Sequence, residues 1–130
     1  MQGNYQYDDV YDAITDDTAL IAVAHVSNAL GCIHPIDLIS RKAHQHKALC
    51  IVDGTQALAH ISVDVQTLGC DAYVVSSHKM FGPTGVGFGT GTYELLNALP
   101  PYQVGGEMIV DVSFSAGRFQ SFPYKFEVGA

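Results

Sequence analysis

Three apolar runs constrain this chain of 130 residues more than any other feature: "ALIAVAHVS", "ALCIVD" and "DAYVVSS". Each is short, apolar and bounded by turn residues, the pattern of a strand covered on both faces. Helical patterns fill the gaps between them. "YDDVYDAI" reads as a short helix with acidic residues at its start. In "PIDLISRKAHQHK", Pro35 suits the first helical position, Asp37 suits the positive end, and Ile36, Ile39 and Ala43 share one face. "VDVQTLG" predicts a short helix closed by Gly69, "GVGFGT" a fourth, glycine-rich strand, and "TYELLNAL" a helix capped by Thr92.

Strands alternating with helices predict an α/β fold, a mainly parallel sheet with flanking helices. In such sheets ligands lie at the carboxyl ends of the strands. Here those ends are polar: Ser27 and Asn28, then Asp53, then Ser76 to Lys79. The topology should bring these groups to one edge.

Composition narrows the function classes. Six basic residues against thirteen acidic ones give a net charge of −7, which suits neither a nucleic-acid backbone nor an anionic membrane surface. No apolar run is long enough for a membrane span, and "MQGNYQYDD" does not resemble a signal peptide, so a cytoplasmic protein is expected. Cys32, Cys50 and Cys70 are an odd number without CxxC spacing, which argues against a disulfide framework or a structural zinc site. Cys50 reads as a buried, inert thiol; Cys32 and Cys70 lie in turn-like contexts, with no neighbour in sequence that marks either as a nucleophile. His44 and His46 would point about 200° apart on a helix, and read as solvated or dipole-facing residues, not metal ligands.

The last thirty residues differ from the rest. "MIVDVSFS" alternates as a half-exposed strand would, and "FQSFPYKFEVGA" is aromatic and reads as extended. Phe119, Phe122, Tyr124 and Phe126 have nothing after them in the chain to cover them. The expected organisation is a single incomplete domain, with an extended tail over 100–130 completed by further chain or a partner.

Taken singly, the polar residues at the strand ends have plain readings. Asp53 could cap the turn "GTQ", and Lys79 could lean into solvent. "GPTGVGFGTG" lacks the GK[ST] ending of a phosphate loop, so a nucleotide-binding domain rests on glycines alone. Together the residues carry more. An amine (Lys79), a carboxylate (Asp53), an amide (Gln56), a hydroxyl (Ser76) and an imidazole (His78) converge on one sheet edge. Pyridoxal phosphate needs that set: a lysine for its aldehyde, a carboxylate to keep its ring nitrogen protonated, and donors for its phosphate and ring oxygen.

"VAHVSNALG", "VDGTQALAH", "SSHKMFGPTGVG" and "VGGEMI" closely resemble the matching segments of the group II cysteine desulfurases, the SufS and CsdA type. These are members of the class V aminotransferase family of fold-type I pyridoxal phosphate enzymes. The resemblance runs along nearly the whole chain with the segments in order. It implies that Lys79 forms the Schiff base and shuttles the substrate proton, and that Asp53 pairs with the pyridinium nitrogen. It further implies that Gln56 donates to the ring oxygen with Asn28 beside it, and that Ser76 and His78 hold the phosphate. Gly105 and Gly106 match a loop near the active site and receive no chemical role.

The implied enzyme is a homodimer that takes an amino-acid substrate, cysteine, converts it to alanine and passes sulfur as a persulfide to an acceptor protein for iron–sulfur cluster assembly. Selenocysteine lyases, kynureninases and small-molecule aminotransferases share the same cofactor set, and a non-catalytic truncated module is the rival from another class. The chain would be a central part of the cofactor-binding large domain. The sulfur-accepting cysteine and carboxylate-binding arginine would lie outside it, since none of Cys32, Cys50, Cys70, Arg41 or Arg118 matches those positions. Two departures stand out: Thr55 replaces a common alanine, and Lys47 falls where a glycine is frequent. A left-handed backbone at Lys47 would cost about 1 kcal/mol.

Overall fold

The computed structural model describes residues 7–113 and 116–128. Outside the described residues lie most of the "MQGNYQYDD" opening and the last two residues of the expected strand "MIVDVSFS". The chain forms two compact units, Met1–Gly91 and Thr92–Ala130.

The first unit contains helix α1 (Tyr7–Asp12), strand β1 (Leu20–Ala24), helix α2 (Ile36–Gln45), strand β2 (Leu49–Asp53), helix α3 (Val65–Leu68), and strands β3 (Ala72–Ser76) and β4 (Gly87–Gly91). The sheet order is β1-β2-β3-β4. β1 and β3 both run parallel to β2, while β4 returns antiparallel to β3. The mainly parallel α/β expectation therefore holds, and the carboxyl ends of β1, β2 and β3 meet at one edge.

Local chemistry explains the helices. In α2, Ile36, Ile39 and Ala43 are buried as their spacing predicts, and an Asp37–Arg41 ion pair of 2.9 Å spans one turn of the outer face. Pro35 stands one residue before the helix, not at its first position; its carbonyl accepts the N–H groups of Leu38 and Ile39. α3 starts with Asp64, whose carboxylate accepts N–H bonds from Gln66 and Thr67, and Gly69 closes it in the left-handed region at φ 66°.

The core lies on one face of the sheet. Ile36, Ile39 and Ala43 of α2 pack with Cys50, Val52, Tyr73 and Val75 of the strands, and Ile14 joins them. Burying a side chain such as Ile39 contributes roughly 1.5–3 kcal/mol. Here one expectation is corrected. β2 and β3 alternate buried and exposed positions, and Leu20, Leu49 and Val74 on the other face are more than a third exposed. Among the described residues, the core packs against one face of the sheet and the other face is left partly exposed.

The histidines at the end of α2 each gain a carboxylate partner that spacing alone did not show. His44 is solvated as expected, 47% exposed, yet its Nε2 lies 2.9 Å from Asp71 Oδ2, and His46 Nδ1 lies 2.6 Å from Asp16 Oδ1. Their opposite directions on the helix, foreseen from the spacing, give each a different carboxylate. Lys47 adopts φ 60°, the left-handed conformation anticipated for it.

The second unit opens with helix α4 (Tyr93–Ala98), whose cap Thr92 accepts the Leu95 N–H at 3.3 Å through its hydroxyl. Strands β5 (Ile109–Val112) and β6 (Gly117–Phe119) pair antiparallel, with Met108 fully buried beside them. The stretch expected to be extended holds β6 and a 3₁₀ turn at Tyr124–Phe126. Its aromatics are only partly covered within the unit, with Tyr124 still 55% and Phe126 37% exposed. Phe122 meets Tyr93 and Phe126 edge-on at 5.9 and 6.3 Å, and Lys125 donates to the Asn97 and Leu99 carbonyls at 2.6 and 2.8 Å.

Candidate cofactor site

The site is assembled by backbone pairing before any side chain takes part. The His25 N–H donates to the Asp53 carbonyl and the Gly54 N–H to the Val74 carbonyl, each at 2.8 Å, so the ends of β1, β2 and β3 are tied in register. Just past those ends the chain turns sharply. The Thr55 N–H donates to Asp53 Oδ1 at 2.9 Å, which closes the turn and fixes the carboxylate. The plain reading of Asp53 as a turn former is therefore met, without excluding a second role for its other oxygen.

After β3 the chain enters a 3₁₀ turn, Ser77–Lys79. The turn is pinned from below by Ser77, which is buried; its hydroxyl lies 2.5 Å from the Pro83 carbonyl and 2.9 Å from that of Val86. The Ser77 N–H also donates to Val86, and the Gly82 N–H donates to Ser77. This knot explains the glycines that follow the lysine. A Cβ on Gly87 would stand 2.9 Å from the Val75 carbonyl oxygen, so a side chain there would push β4 off β3. The glycine run is a strand-packing device, as the absence of the GK[ST] ending suggested.

All six residues singled out in the sequence line one cleft. Asn28, Asp53, Gln56, Ser76, His78 and Lys79 surround a cavity of about 300 Å³, together with Ala24, Val26 and Thr55. That volume is at the lower end of the range for small-molecule sites, ~300–1,000 Å³. Ser76 Oγ and His78 Nδ1 are 2.8 Å apart. If the hydroxyl donates, His78 keeps an Nε2–H for an outside acceptor; if the ring donates, the hydroxyl keeps its own hydrogen. Either arrangement leaves a donor for an anion.

Thr55 is the residue that the sequence reading undervalued. Beyond lining the cleft, its hydroxyl accepts the Ser76 N–H at 3.0 Å, linking the turn after β2 to the end of β3. Alanine could not make that bond. The signal was available in principle: a hydroxyl two residues beyond a strand-end carboxylate. In the core of the same unit, buried His25 places Nδ1 3.0 Å from the Tyr73 hydroxyl. Burial, with a smaller effect of His34, lowers the His25 pKa, while burial pushes the Tyr73 phenol up to about 12. Both shifts favour the neutral forms of the pair. Gly54 lies directly over the Tyr73 ring, where any Cβ would fall 1.9 Å from a ring carbon.

Comparisons with known proteins agree with this geometry. The family model "Aminotransferase class-V" matches residues 1–130. The chain is 44% identical over 127 residues to a cysteine desulfurase of Synechococcus elongatus, matching 98% of this chain and 20% of that protein. It is 46% identical over 128 residues to a cysteine desulfurase of Klebsiella pneumoniae, matching 98% of this chain and 32% of that one. Among solved structures, the cysteine desulfurase CsdA of Escherichia coli superposes with a TM-score of 0.86 at 37% identity, over 96% of this chain and 31% of that chain. The fold is the mainly parallel α/β domain of pyridoxal phosphate-dependent enzymes. The chain belongs to the class-V aminotransferase family, whose members are generally pyridoxal phosphate-dependent. It spans between a fifth and a third of the length of these relatives. Among the described residues, no helix is long and apolar enough to cross a membrane.

Proposed function

We propose that the cleft holds pyridoxal 5'-phosphate and that the full-length protein is a cysteine desulfurase, releasing alanine and passing sulfur onward as a persulfide. The single observation that carries the cofactor reading is the donor set of the cleft. One amine, one carboxylate, two amides, the Ser76 hydroxyl and one imidazole line the same cavity, beside a Thr55 hydroxyl committed to the Ser76 N–H. Each answers one feature of the cofactor. Lys79 would hold the aldehyde, Asp53 the ring N–H, Gln56 and Asn28 the ring oxygen, and Ser76 with His78 the phosphate. Bound there, the cofactor supplies an electron sink for the bond-breaking at the substrate α-carbon.

The chain's own residues would do the rest. Asp53 has one oxygen committed to the Thr55 N–H, which orients the carboxylate and leaves the other oxygen for a cation-like N–H. Lys79, at the end of a turn pinned by Ser77, would move a proton between the substrate α-carbon and the cleft. The choice of cysteine as substrate rests on the relatives, which carry the name cysteine desulfurase at 42–47% identity. A homodimer, a sulfur-acceptor protein, iron–sulfur assembly as destination and a cytoplasmic location complete the proposal.

The test is chemical trapping. Incubation with pyridoxal phosphate followed by borohydride should leave a pyridoxyl mark on Lys79, mapped by peptide mass, and Lys79→Ala should abolish it. No mark, or marks spread over Lys42, Lys47 and Lys125, would reject the cleft as a cofactor site in this chain and favour a non-catalytic module.

A further inference from the structure

Cys32 was expected to have no partner that could make it a nucleophile, and the structure corrects this. The chain from Ser27 to His34 is a tightly closed loop. Ser27 Oγ accepts the N–H groups of Ala29 and Leu30 at 3.3 and 3.1 Å, and the Ser27 carbonyl accepts the Gly31 N–H at 2.9 Å. The Ser27 N–H donates to the Cys32 carbonyl at 3.0 Å, the His34 N–H donates to the His25 carbonyl at 2.9 Å, and Val26 bridges Ile33. Cys32 and His34, two residues apart on this bridged segment, point the same way. The Cys32 Sγ lies 3.4 Å from His34 Nε2.

The other ring nitrogen decides what that contact means. His34 Nδ1 lies 2.5 Å from the Ala24 carbonyl oxygen, which can only accept. Nδ1 therefore carries the hydrogen, and in the neutral ring Nε2 presents its lone pair to the Cys32 S–H. The remaining cysteines differ. Cys50 is fully buried, with its sulfur accepting from the Ser40 hydroxyl, and burial raises its pKa. Cys70 is pushed up to about 11, first by burial and then by neighbouring Cys50.

We propose that Cys32 and His34 form a thiol–imidazole pair that makes Cys32 the chain's modification-prone nucleophile, exchanging with low-molecular-weight disulfides. In the step, the Cys32 thiol passes its proton to His34 Nε2, and the sulfur attacks one sulfur of the disulfide. A Cys32 S–S bond forms as the original S–S bond breaks, and the departing thiolate recovers the proton from the imidazole. The site is separate from the cofactor reading and does not depend on it.

The experiment uses the purified chain at pH 7 and an aromatic disulfide whose departing thiolate absorbs visible light, with peptide mass mapping to assign each cysteine. Cys32 should react at least about tenfold faster than Cys70, and about tenfold faster than Cys32 in the same chain unfolded in urea, while Cys50 stays unreactive. In His34→Asn the amide can still donate to the Ala24 carbonyl but offers no ring lone pair, so the Cys32 rate should fall about tenfold with Cys50 still protected. Cys70 reacting first, no gain over the unfolded chain, or an unchanged rate in the variant would each overturn the proposal. Should the variant open the fold, Cys50 would become reactive, and the folded-to-unfolded comparison in the parent chain would decide alone.

Discussion

Lys47 shows how a single residue can sit against its own preference. Its φ of 60° places a Cβ-bearing residue in the left-handed region, where glycine has no penalty. Its side chain is exposed, so nothing is lost from the core by removing it. Lys47→Gly is expected to raise stability by about 1 kcal/mol, the relief of backbone strain exceeding the entropy that glycine adds to the unfolded chain. A higher denaturant midpoint at an unchanged slope is the readout; a lower midpoint would show that the conformation carries no strain. This residue was legible through the family resemblance, which places a frequent glycine after that helix where this chain has Lys47. Phe81, also left-handed at φ 65°, was not legible. Its conformation follows from the knot of bonds around Ser77, which no local pattern announces.

At the scale of elements, α3 and α4 were readable because their caps are local: Asp64 and Gly69 bound one, and Thr92 opens the other. β4 was readable as a strand but not in its direction. "GVGFGT" holds no sign that it runs antiparallel to β3, since direction depends on the ten residues that turn the chain back through Lys79. The glycines of β4 carry a prediction. Gly87→Ala would place a methyl 2.9 Å from the Val75 carbonyl oxygen, a backbone atom that cannot swing aside. A loss of about 1–3 kcal/mol is expected from forced separation of β3 and β4, measured by chemical denaturation. Hydrogen exchange should show the loss concentrated at Tyr73 to Ser76 and at β4; a variant as stable as the parent would mean that the two strands separate freely.

On the scale of the molecule, acid should weaken the first unit in two stages. Burial, then His34, holds the His25 imidazole below its ordinary pKa of 6.5. As pH falls below 6.5, the unfolded chain takes up this proton before the folded one does. Stability is therefore complete above that value and declines beneath it, until the lowered folded-state pKa is passed. Asp64 acts later. Hydrogen bonds from the Thr67 hydroxyl, the Thr67 N–H and the Gln66 N–H hold its carboxyl below the ordinary 3.8. Its contribution is present above 3.8 and lost as pH drops through the lowered value. Urea midpoints taken from pH 8 to pH 2 should fall in both ranges. A flat midpoint between pH 8 and pH 5 would contradict the buried, neutral state of His25.

The sequence by itself determined the α/β class, the apolar face of α2, the caps, and which polar residues stand at strand ends, because each depends on neighbours within a few positions. It also carried the six residues of the cleft, since parallel strands must deliver their carboxyl ends to one edge. Tertiary structure alone decided what those residues touch. Thr55 reaches Ser76 across 21 positions, His44 meets Asp71 across 27, and His25 meets Tyr73 across 48. The Cys32–His34 pair spans only two positions, yet its meaning came from the Ala24 carbonyl that fixes the ring. Hydrogen-bond direction and one-sided cover of the sheet are properties of packed neighbours, and packing joins residues that the chain keeps apart.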